Sequence, residues 1–296
     1  MKDFIVTIRQ RPIVGDGPMG ITLFSRLGQK YGTSEEFNLH DPKAVLHLHR
    51  EYLDAGCEVV GANTFSANRV KLARGKALDR LEEMNRLGIE LAREASNGKA
   101  WVAGKLGPTG RLLEPLGDMT ASEARDAYVE QASIIVDAGV DFIVIETMSD
   151  LGEAKLAYEA VRSVSEMPIA VSFTFDANLR TMMGVTPEQA VQAVSSWGAD
   201  LLGTNCGVGP EPVEQAVERM LDTVPDALLW VAPNAGLPRL ENGRTVYGVT
   251  PARFADYAER VARAGAKVIS GCCGSTPDHL RAVVERLAKL RRLNAN

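Results

Sequence analysis

The sequence predicts an α/β protein built as one (β/α)8 TIM barrel, with its active site at the carboxyl ends of the strands. Eight short apolar runs alternate with amphipathic helical patterns, which is typical of a parallel sheet buried on both faces. A chain of 296 residues has room for eight such repeats. The dipeptide Ala-Gly precedes a predicted strand at 55–56, 138–139 and 264–265, as helix ends require. Since no linker or low-complexity run interrupts the pattern, we expect one domain over residues 1–296.

The strands are predicted from runs of aliphatic and aromatic residues that end in glycine or polar residues. In chain order they occupy residues 12–14, 57–60, 101–104, 142–145, 169–173, 200–202, 228–231 and 266–269. In barrels of this type the residues that follow each strand meet at one end. The polar residues at those positions are therefore the candidates for a functional site.

Helices are predicted in most of the gaps. One begins near Pro42, and its apolar face carries Val45, Leu46, His49, Tyr52 and Leu53. Another takes Ser122 as its N-cap and stops at residues 137–139. Further helices are expected to begin near Pro187, Pro210, Pro251 and Pro277, because proline is favoured in the first turn. Longer irregular loops are expected at 17–40, 105–121 and 232–250.

Two cysteine-containing stretches stand at predicted strand ends. Residues 270–280 read Ser-Gly-Cys-Cys-Gly-Ser-Thr-Pro-Asp-His-Leu, and residues 203–210 read Gly-Thr-Asn-Cys-Gly-Val-Gly-Pro. Neighbouring side chains of an extended chain face opposite ways, but glycines on both sides of Cys272 and Cys273 allow the backbone to turn. With Cys206, the pair would offer three thiolates to a soft metal. Three protein ligands and one open position are typical of catalytic zinc.

Other interpretations of the cysteines stay open. Cys272 and Cys273 could form a strained vicinal disulfide, or pack as small buried apolar groups. No CxxC spacing is present, so spacing alone does not indicate a metal. The matching glycine-flanked context at Cys206 favours the metal. Cys57 begins its strand, which places it at the opposite end of the barrel and predicts a structural role.

Two carboxylates, Asp16 and Glu146, also end predicted strands. Each is either a buried structural hydrogen-bonding group or a receiver for a substrate cation, and the sequence leaves both open. The glycines beside Asp16, including Gly17, would let a ligand approach closely. Asn234 ends another strand and can converge on the same site. Lys105 is the best placed lysine for a metal-free barrel lyase that forms a Schiff base.

The two cysteine stretches resemble the signature of the homocysteine S-methyltransferase family, through Gly-Cys-Cys-Gly-Ser-Thr-Pro-Asp-His and Thr-Asn-Cys-Gly. That family includes betaine–homocysteine methyltransferases, S-methylmethionine-dependent enzymes and the homocysteine-binding domain of cobalamin-dependent methionine synthase. The resemblance covers the chain from Asp16 to the last helix. It implies a Zn2+ ion on Cys206, Cys272 and Cys273, which activates the thiol of homocysteine for methylation to methionine. No catalytic residue is expected beyond the metal site.

The resemblance also implies roles at the substrate end of the site. Asp16 and Glu146 would receive the ammonium group of homocysteine. Gly17 and Asn234 are assigned to the same substrate site from their own positions, Gly17 beside Asp16 and Asn234 at a strand end. The methyl donor would be a small sulfonium or betaine compound, or a methyl group from a separate corrinoid or folate protein. The sequence contains no cobalamin-type Asp-x-His-x-x-Gly motif. Two rival functions are a zinc-binding barrel scaffold without catalysis and the metal-free lyase.

Composition excludes other function classes. The formal net charge is −5 and no basic block occurs, so neither nucleic acid nor an anionic membrane is expected as a partner. No run is long and apolar enough for a signal peptide or a membrane span, which predicts a cytoplasmic protein with reduced thiols. His47 and His49 are two apart on a predicted helix and cannot chelate one ion. His279 is expected to cap or pack.

Overall fold

Eight parallel strands surround one axis in the computed structural model, which describes residues 3–75, 77–241 and 244–293. The ten strands in chain order are β1 (Ile13–Val14), β2 (Val59–Gly61), β3 (Trp101–Leu106), β4 (Phe142–Met148), β5 (Ile169–Phe173), β6 (Leu201–Cys206), β7 (Leu229–Pro233), β8 (Pro238–Glu241), β9 (Arg244–Tyr247) and β10 (Val268–Ile269). The order in the large sheet is β1-β10-β7-β6-β5-β4-β3-β2. A bridge between Gly15 and Val59 joins its two ends. The predicted (β/α)8 barrel is confirmed.

Helices occupy the connections between the strands. They are α1 (Phe4–Gln10), α2 (Gly20–Leu27), α3 (Glu36–His40), α4 (Pro42–Asp54), α5 (Arg69–Leu72), α6 (Leu81–Ser96), α7 (Ala121–Asp137), α8 (Leu151–Val164), α9 (Pro187–Trp197), α10 (Pro210–Thr223), α11 (Pro251–Ala264) and α12 (Pro277–Leu293). In the described part of the chain, none has the length and apolar character that a membrane crossing requires.

Helix starts follow the predicted prolines, with one correction. Helices α4, α9, α10, α11 and α12 each have proline at their first position. The N-cap of α7, however, is Thr120 and not Ser122. Thr120 and Glu123 form a reciprocal capping box, which satisfies two backbone N–H groups at once and so outweighs a lone serine two residues later. The Ala-Gly helix ends are confirmed, because Gly56, Gly139 and Gly265 all have positive φ.

Two of the predicted irregular loops contain regular structure. The loop expected at 17–40 holds α2 and α3. The loop expected at 232–250 holds an antiparallel hairpin of β8 and β9, whose connecting residues 242 and 243 lie outside the described residues. These segments pack over the carboxyl end of the barrel and not into the repeating sheet, so the strand–helix alternation did not indicate them.

The amino end of the barrel is closed by α1. Phe4 stacks on Phe142 with ring centroids 4.1 Å apart, within an apolar cluster that fills the barrel interior. In that cluster Trp101 and Ala103 face inward from β3, and Phe142 and Val144 face inward from β4. Because side chains alternate along a strand, the next inward positions are Lys105 and Glu146. The interior is therefore apolar at one end and charged at the carboxyl end.

Candidate active site

Three cysteines converge at the carboxyl end of the barrel. The sulfurs of Cys206, Cys272 and Cys273 all lie within 4.8 Å of one another, and those of Cys206 and Cys272 are 2.7 Å apart. Strand β7 brings them together, because it lies between β6 and β10 in the sheet. Its last residue, Pro233, is paired with Cys206, and its carbonyl accepts the N–H of Cys272 at 2.8 Å. Two cysteine stretches far apart in sequence thus end side by side.

The backbone at each stretch is turned to present the sulfurs. Cys206 itself has a left-handed φ of 59°, which is strained for a residue with a side chain, and Gly207 follows at 70°. The side-chain amide of Asn234 donates to the carbonyl of Gly207 at 2.7 Å and so braces this turn. After the pair, Gly274 has a φ of 82°, and a Cβ there would lie 2.1 Å from the Tyr247 ring. Glycine at 274 is required by both conformation and space.

The three thiols form one electrostatic unit. Hydrogen bonds from Cys206 and Cys272 lower the pKa of Cys273, which favours one thiolate held by two neighbouring S–H groups. Hydrogen bonds with Cys206 and Cys273, together with burial, raise the pKa of Cys272. Burial, with the nearby charge of Cys273, raises the pKa of Tyr247 to about 12. All four cysteines are free thiols, so neither a vicinal disulfide nor any other disulfide is formed.

The donor set suits a single soft metal ion. A tetrahedral ion with Zn–S bonds of about 2.3 Å holds its sulfurs about 3.8 Å apart. The separations here, from 2.7 Å to at most 4.8 Å, bracket that value. In the described part of the chain this is the group of histidine, cysteine and acidic residues that could hold a metal. The cysteine triad is thus a candidate metal site with a position left for another ligand.

A buried charged cluster lies beside the thiols. The Lys105 ammonium is 3.6 Å from Oε1 of Glu146 and 4.0 Å from Oδ1 of Asp16. Asp16 is 1% exposed, and its Oδ2 accepts the N–H of Gly61 at 2.7 Å. Burial raises the pKa of Asp16 to about 6, against the lowering effect of Lys105. Burial opposes the charge on Lys105, but Glu146 and Asp16 outweigh it and raise its pKa above the usual range.

The other two substrate-site candidates hold the framework of the site. A Cβ on Gly17 would lie 2.8 Å from the ring and hydroxyl of Tyr52, whose hydroxyl donates to the carbonyl of Pro18. Gly17 thus leaves room for Tyr52 behind the loop after β1. Asn234 is 8% exposed and directs its amide to the Cys206 turn. Both residues are where the sequence places them, at strand ends, next to groups that line the cavity.

Asn205 connects the carboxylate side to the thiol side of the site. Its Oδ1 accepts the backbone N–H of Thr147 at 2.8 Å and the hydroxyl of Ser172 at 2.5 Å. Its Nδ2 donates to Oγ1 of Thr147 at 2.7 Å. Thr147 has a left-handed φ of 65°, which a β-branched residue seldom adopts. Asn205, which directly precedes Cys206 in β6, therefore holds the strained Thr147, which directly follows Glu146. Our sequence reasoning gave it no role, although it stands in the Thr-Asn-Cys-Gly stretch.

An open cavity of about 650 Å³ reaches down to these groups. Lys105, Glu146, Thr147, Asn205 and the three cysteines line its deep end, whereas Asp16 lies behind them. Met19, Phe24, Phe65, Lys71 and Arg74 line parts of the remaining wall. A small molecule in this cavity can reach a thiol, a carboxylate and an ammonium group together.

Comparison with known proteins identifies the family. The model of the family described as homocysteine S-methyltransferase matches residues 13–287. The chain belongs to the homocysteine S-methyltransferase family. Two proteins named methionine synthase, from Mycobacterium leprae (strain TN) and Mycobacterium tuberculosis (strain ATCC 25618 / H37Rv), are each 32% identical to it over 97% and 98% of this chain. The chain spans about a quarter of their length, 25% and 26%.

A solved structure of similar fold is the homocysteine methyltransferase MmuM from Escherichia coli in its metallated form. The two chains match with a TM-score of 0.80 and 21% sequence identity, over 96% of this chain and 99% of the other. This likeness confirms the barrel architecture in an enzyme of the same family name.

The remaining candidates of the sequence are not members of the cysteine triad. Cys57 precedes β2 and is buried, and burial raises its pKa, which fits a structural thiol. His279 is in the first turn of α12, where its ring bonds to Thr276 and to the carbonyl of Val249. His49 is fully buried on α4, and burial lowers its pKa to about 3. None of these residues belongs to the cysteine cluster found among the described residues.

Proposed function

We propose that residues 1–296 form one homocysteine-binding barrel domain that transfers a methyl group to the thiol of homocysteine and forms methionine. The observation that carries the proposal is the convergence of Cys206, Cys272 and Cys273 on one point at the deep end of the cavity, in a chain of this family. Zinc is the proposed metal, because three thiolates and an open position suit it. When bound, zinc lowers the pKa of a thiol ligand and keeps it as the reactive thiolate. The metallated form of the similar MmuM supports a metal at this site.

The protein groups around the thiols would bind and orient the substrate. Glu146 lines the cavity and would accept the ammonium group of homocysteine. Asp16 would add negative charge from behind Lys105. Its role would be indirect, because the Asp16 carboxylate is buried and already accepts a hydrogen bond from the N–H of Gly61. Gly17 and Asn234 would serve the substrate site through the loops that they hold. A fixed substrate thiol then meets the donor's methyl group in a defined direction, which lowers the entropic part of the barrier.

The cavity has room for part of the methyl donor. Its volume of about 650 Å³ falls within the range of about 300–1,000 Å³ that is typical of sites for drug-sized ligands. The proposed donor is a small sulfonium or betaine compound, or a corrinoid or folate methyl group brought by a separate protein. The methionine synthases named above are about four times as long as this chain, so their donors are not transferred to it by the alignment.

The two rival functions have less support. A structural zinc site normally has four protein ligands, whereas the cluster found among the described residues has three. A Schiff-base lyase needs a free amine, but Glu146 and Asp16 favour the ammonium form of Lys105 by raising its pKa. Family membership also favours a one-carbon transferase.

The test is methionine formation by zinc-loaded protein. The protein is incubated with homocysteine and, in turn, S-methylmethionine, betaine, methylcobalamin and a methyl-folate, and methionine and bound zinc are measured. We expect methionine from at least one donor and about one zinc per chain. Cys206→Ala should lose both, whereas the matched control Cys57→Ala should keep both, because Cys57 is remote from the cluster. Full zinc occupancy in Cys206→Ala would refute the assigned ligand set.

A further inference from the structure

Lys105 is built into the deep end of the cavity by the packing of the barrel. It continues the inward-facing positions of β3 after Trp101 and Ala103. Its stem passes over Gly61 of β2, where a Cβ would lie only 2.0 Å from Cε and 2.8 Å from Nζ of Lys105. The absence of a side chain at 61 thus leaves the channel that the lysine fills. The Lys105 side chain is 14% exposed, and its exposed part lines the cavity.

Among the residues that the structure describes, the ammonium group of Lys105 has carboxylate neighbours but no hydrogen bond at normal distance. Its carboxylate neighbours stand at 3.6 Å and 4.0 Å, beyond the roughly 3.2 Å limit of a good N–H···O hydrogen bond. An ammonium has three N–H donors. Two carboxylates neutralise its charge at a distance without satisfying those donors. A buried salt bridge with only a structural role would be expected to close to direct contact, because desolvation is otherwise poorly compensated.

The arrangement presents adjacent charges of opposite sign to the cavity. Glu146 supplies the negative charge and Lys105 the positive one, with their charged atoms 3.6 Å apart. Asp16 keeps Lys105 paired from behind and does not line the cavity. An α-amino acid carries an ammonium and a carboxylate on one carbon, so its two charges complement this pair. A substrate ammonium alone at this place would be attracted by Glu146 but repelled by Lys105.

We propose that Lys105 binds the carboxylate of the substrate thiol, while Glu146 binds its ammonium group. The substrate class is therefore a thiol that also carries a carboxylate. This inference rests on the proposed function and adds a specificity-determining residue to it. Asp16 becomes the fixed counter-ion of Lys105, and Gly61 becomes the residue that makes space for it.

The test compares three thiols that differ only in their charged groups. Binding of homocysteine, 3-mercaptopropylamine (no carboxylate) and 4-mercaptobutanoate (no ammonium) to zinc-loaded protein is measured by calorimetry. Lys105→Met should weaken homocysteine and 4-mercaptobutanoate by roughly ten- to a hundredfold, which is the effect of losing a charged hydrogen bond. It should not weaken 3-mercaptopropylamine, whose ammonium group Lys105 repels. Lys155→Met is the matched control, since Lys155 is exposed on α8 and pairs with Glu159.

The outcomes separate this inference from the proposed function. If Lys105→Met weakens all three thiols equally, or none, Lys105 is structural and the inference is overturned while the methyl transfer proposal stands. If wild-type protein binds none of the three thiols, the proposed function fails and the inference with it. Lys105→Met could fail to fold, because it leaves two carboxylates without their shared counter-ion. In that case the double variant Asp16→Asn/Lys105→Met is used in its place, since it removes one charge of each sign. The double variant is judged by the same selective loss.

Discussion

Replacing Asn205 by alanine should weaken both the fold and the substrate site. The substitution removes three hydrogen bonds, two to Thr147 and one to Ser172, in a place where Asn205 is 2% exposed. At about 1 kcal/mol for each net hydrogen bond, the direct loss is roughly 3 kcal/mol. Relaxation of the left-handed Thr147 would return on the order of 1 kcal/mol. The expected loss in the free energy of unfolding is therefore about 2 kcal/mol.

The same substitution should also affect substrate binding. With Thr147 free to leave its left-handed conformation, Glu146 is no longer directed into the cavity. We expect homocysteine to bind about tenfold more weakly to zinc-loaded Asn205→Ala, because the ammonium loses a positioned partner. Urea unfolding and calorimetric titration with homocysteine measure the two effects separately.

The neighbouring residue provides a matched control. Thr204 also lies in β6, and its buried hydroxyl has no hydrogen-bond partner within the described part of the chain. Thr204→Val replaces that hydroxyl with a methyl group of similar size. It should therefore leave stability and homocysteine affinity unchanged, or raise stability slightly. If Asn205→Ala behaves like Thr204→Val in both assays, then Asn205 is not a clamp and the reasoning is wrong.

Two further predictions concern single charged or titratable groups. Glu146→Gln should weaken homocysteine binding by about 1.5–3 kcal/mol with zinc still bound, measured by calorimetry and metal analysis; unchanged affinity would show that Glu146 does not receive the ammonium. His49→Leu should flatten the acid side of the stability profile. Burial lowers the pKa of His49 to about 3 in the folded protein. Between about pH 6.5 and pH 3 only the unfolded chain binds a proton at His49, so the stability of the fold decreases as the pH decreases. The difference in unfolding free energy between pH 7 and pH 5, measured in urea, should shrink by about 2 kcal/mol. An equal difference in both proteins would contradict this.

The sequence by itself was sufficient for the barrel and for naming the three cysteines as a candidate metal site. Buried parallel strands and amphipathic helices leave different hydrophobic periods, and both are local properties of the chain. Because strand ends meet at one face of a barrel, the strand pattern alone predicts that Cys206, Cys272 and Cys273 lie together. Cys57 was separated from them by the same rule.

The tertiary structure alone decided how the charged groups pair. That Lys105 stands between Asp16 and Glu146 depends on the register of β3 against its neighbours and on the empty space above Gly61. That Asn205 reaches Thr147 depends on a left-handed turn which no propensity of threonine favours. Such contacts join residues that are far apart in sequence, and they are selected by packing and hydrogen bonding across strands. A strand's own pattern shows which side chains face inward, but only the closed barrel determines which of them meet.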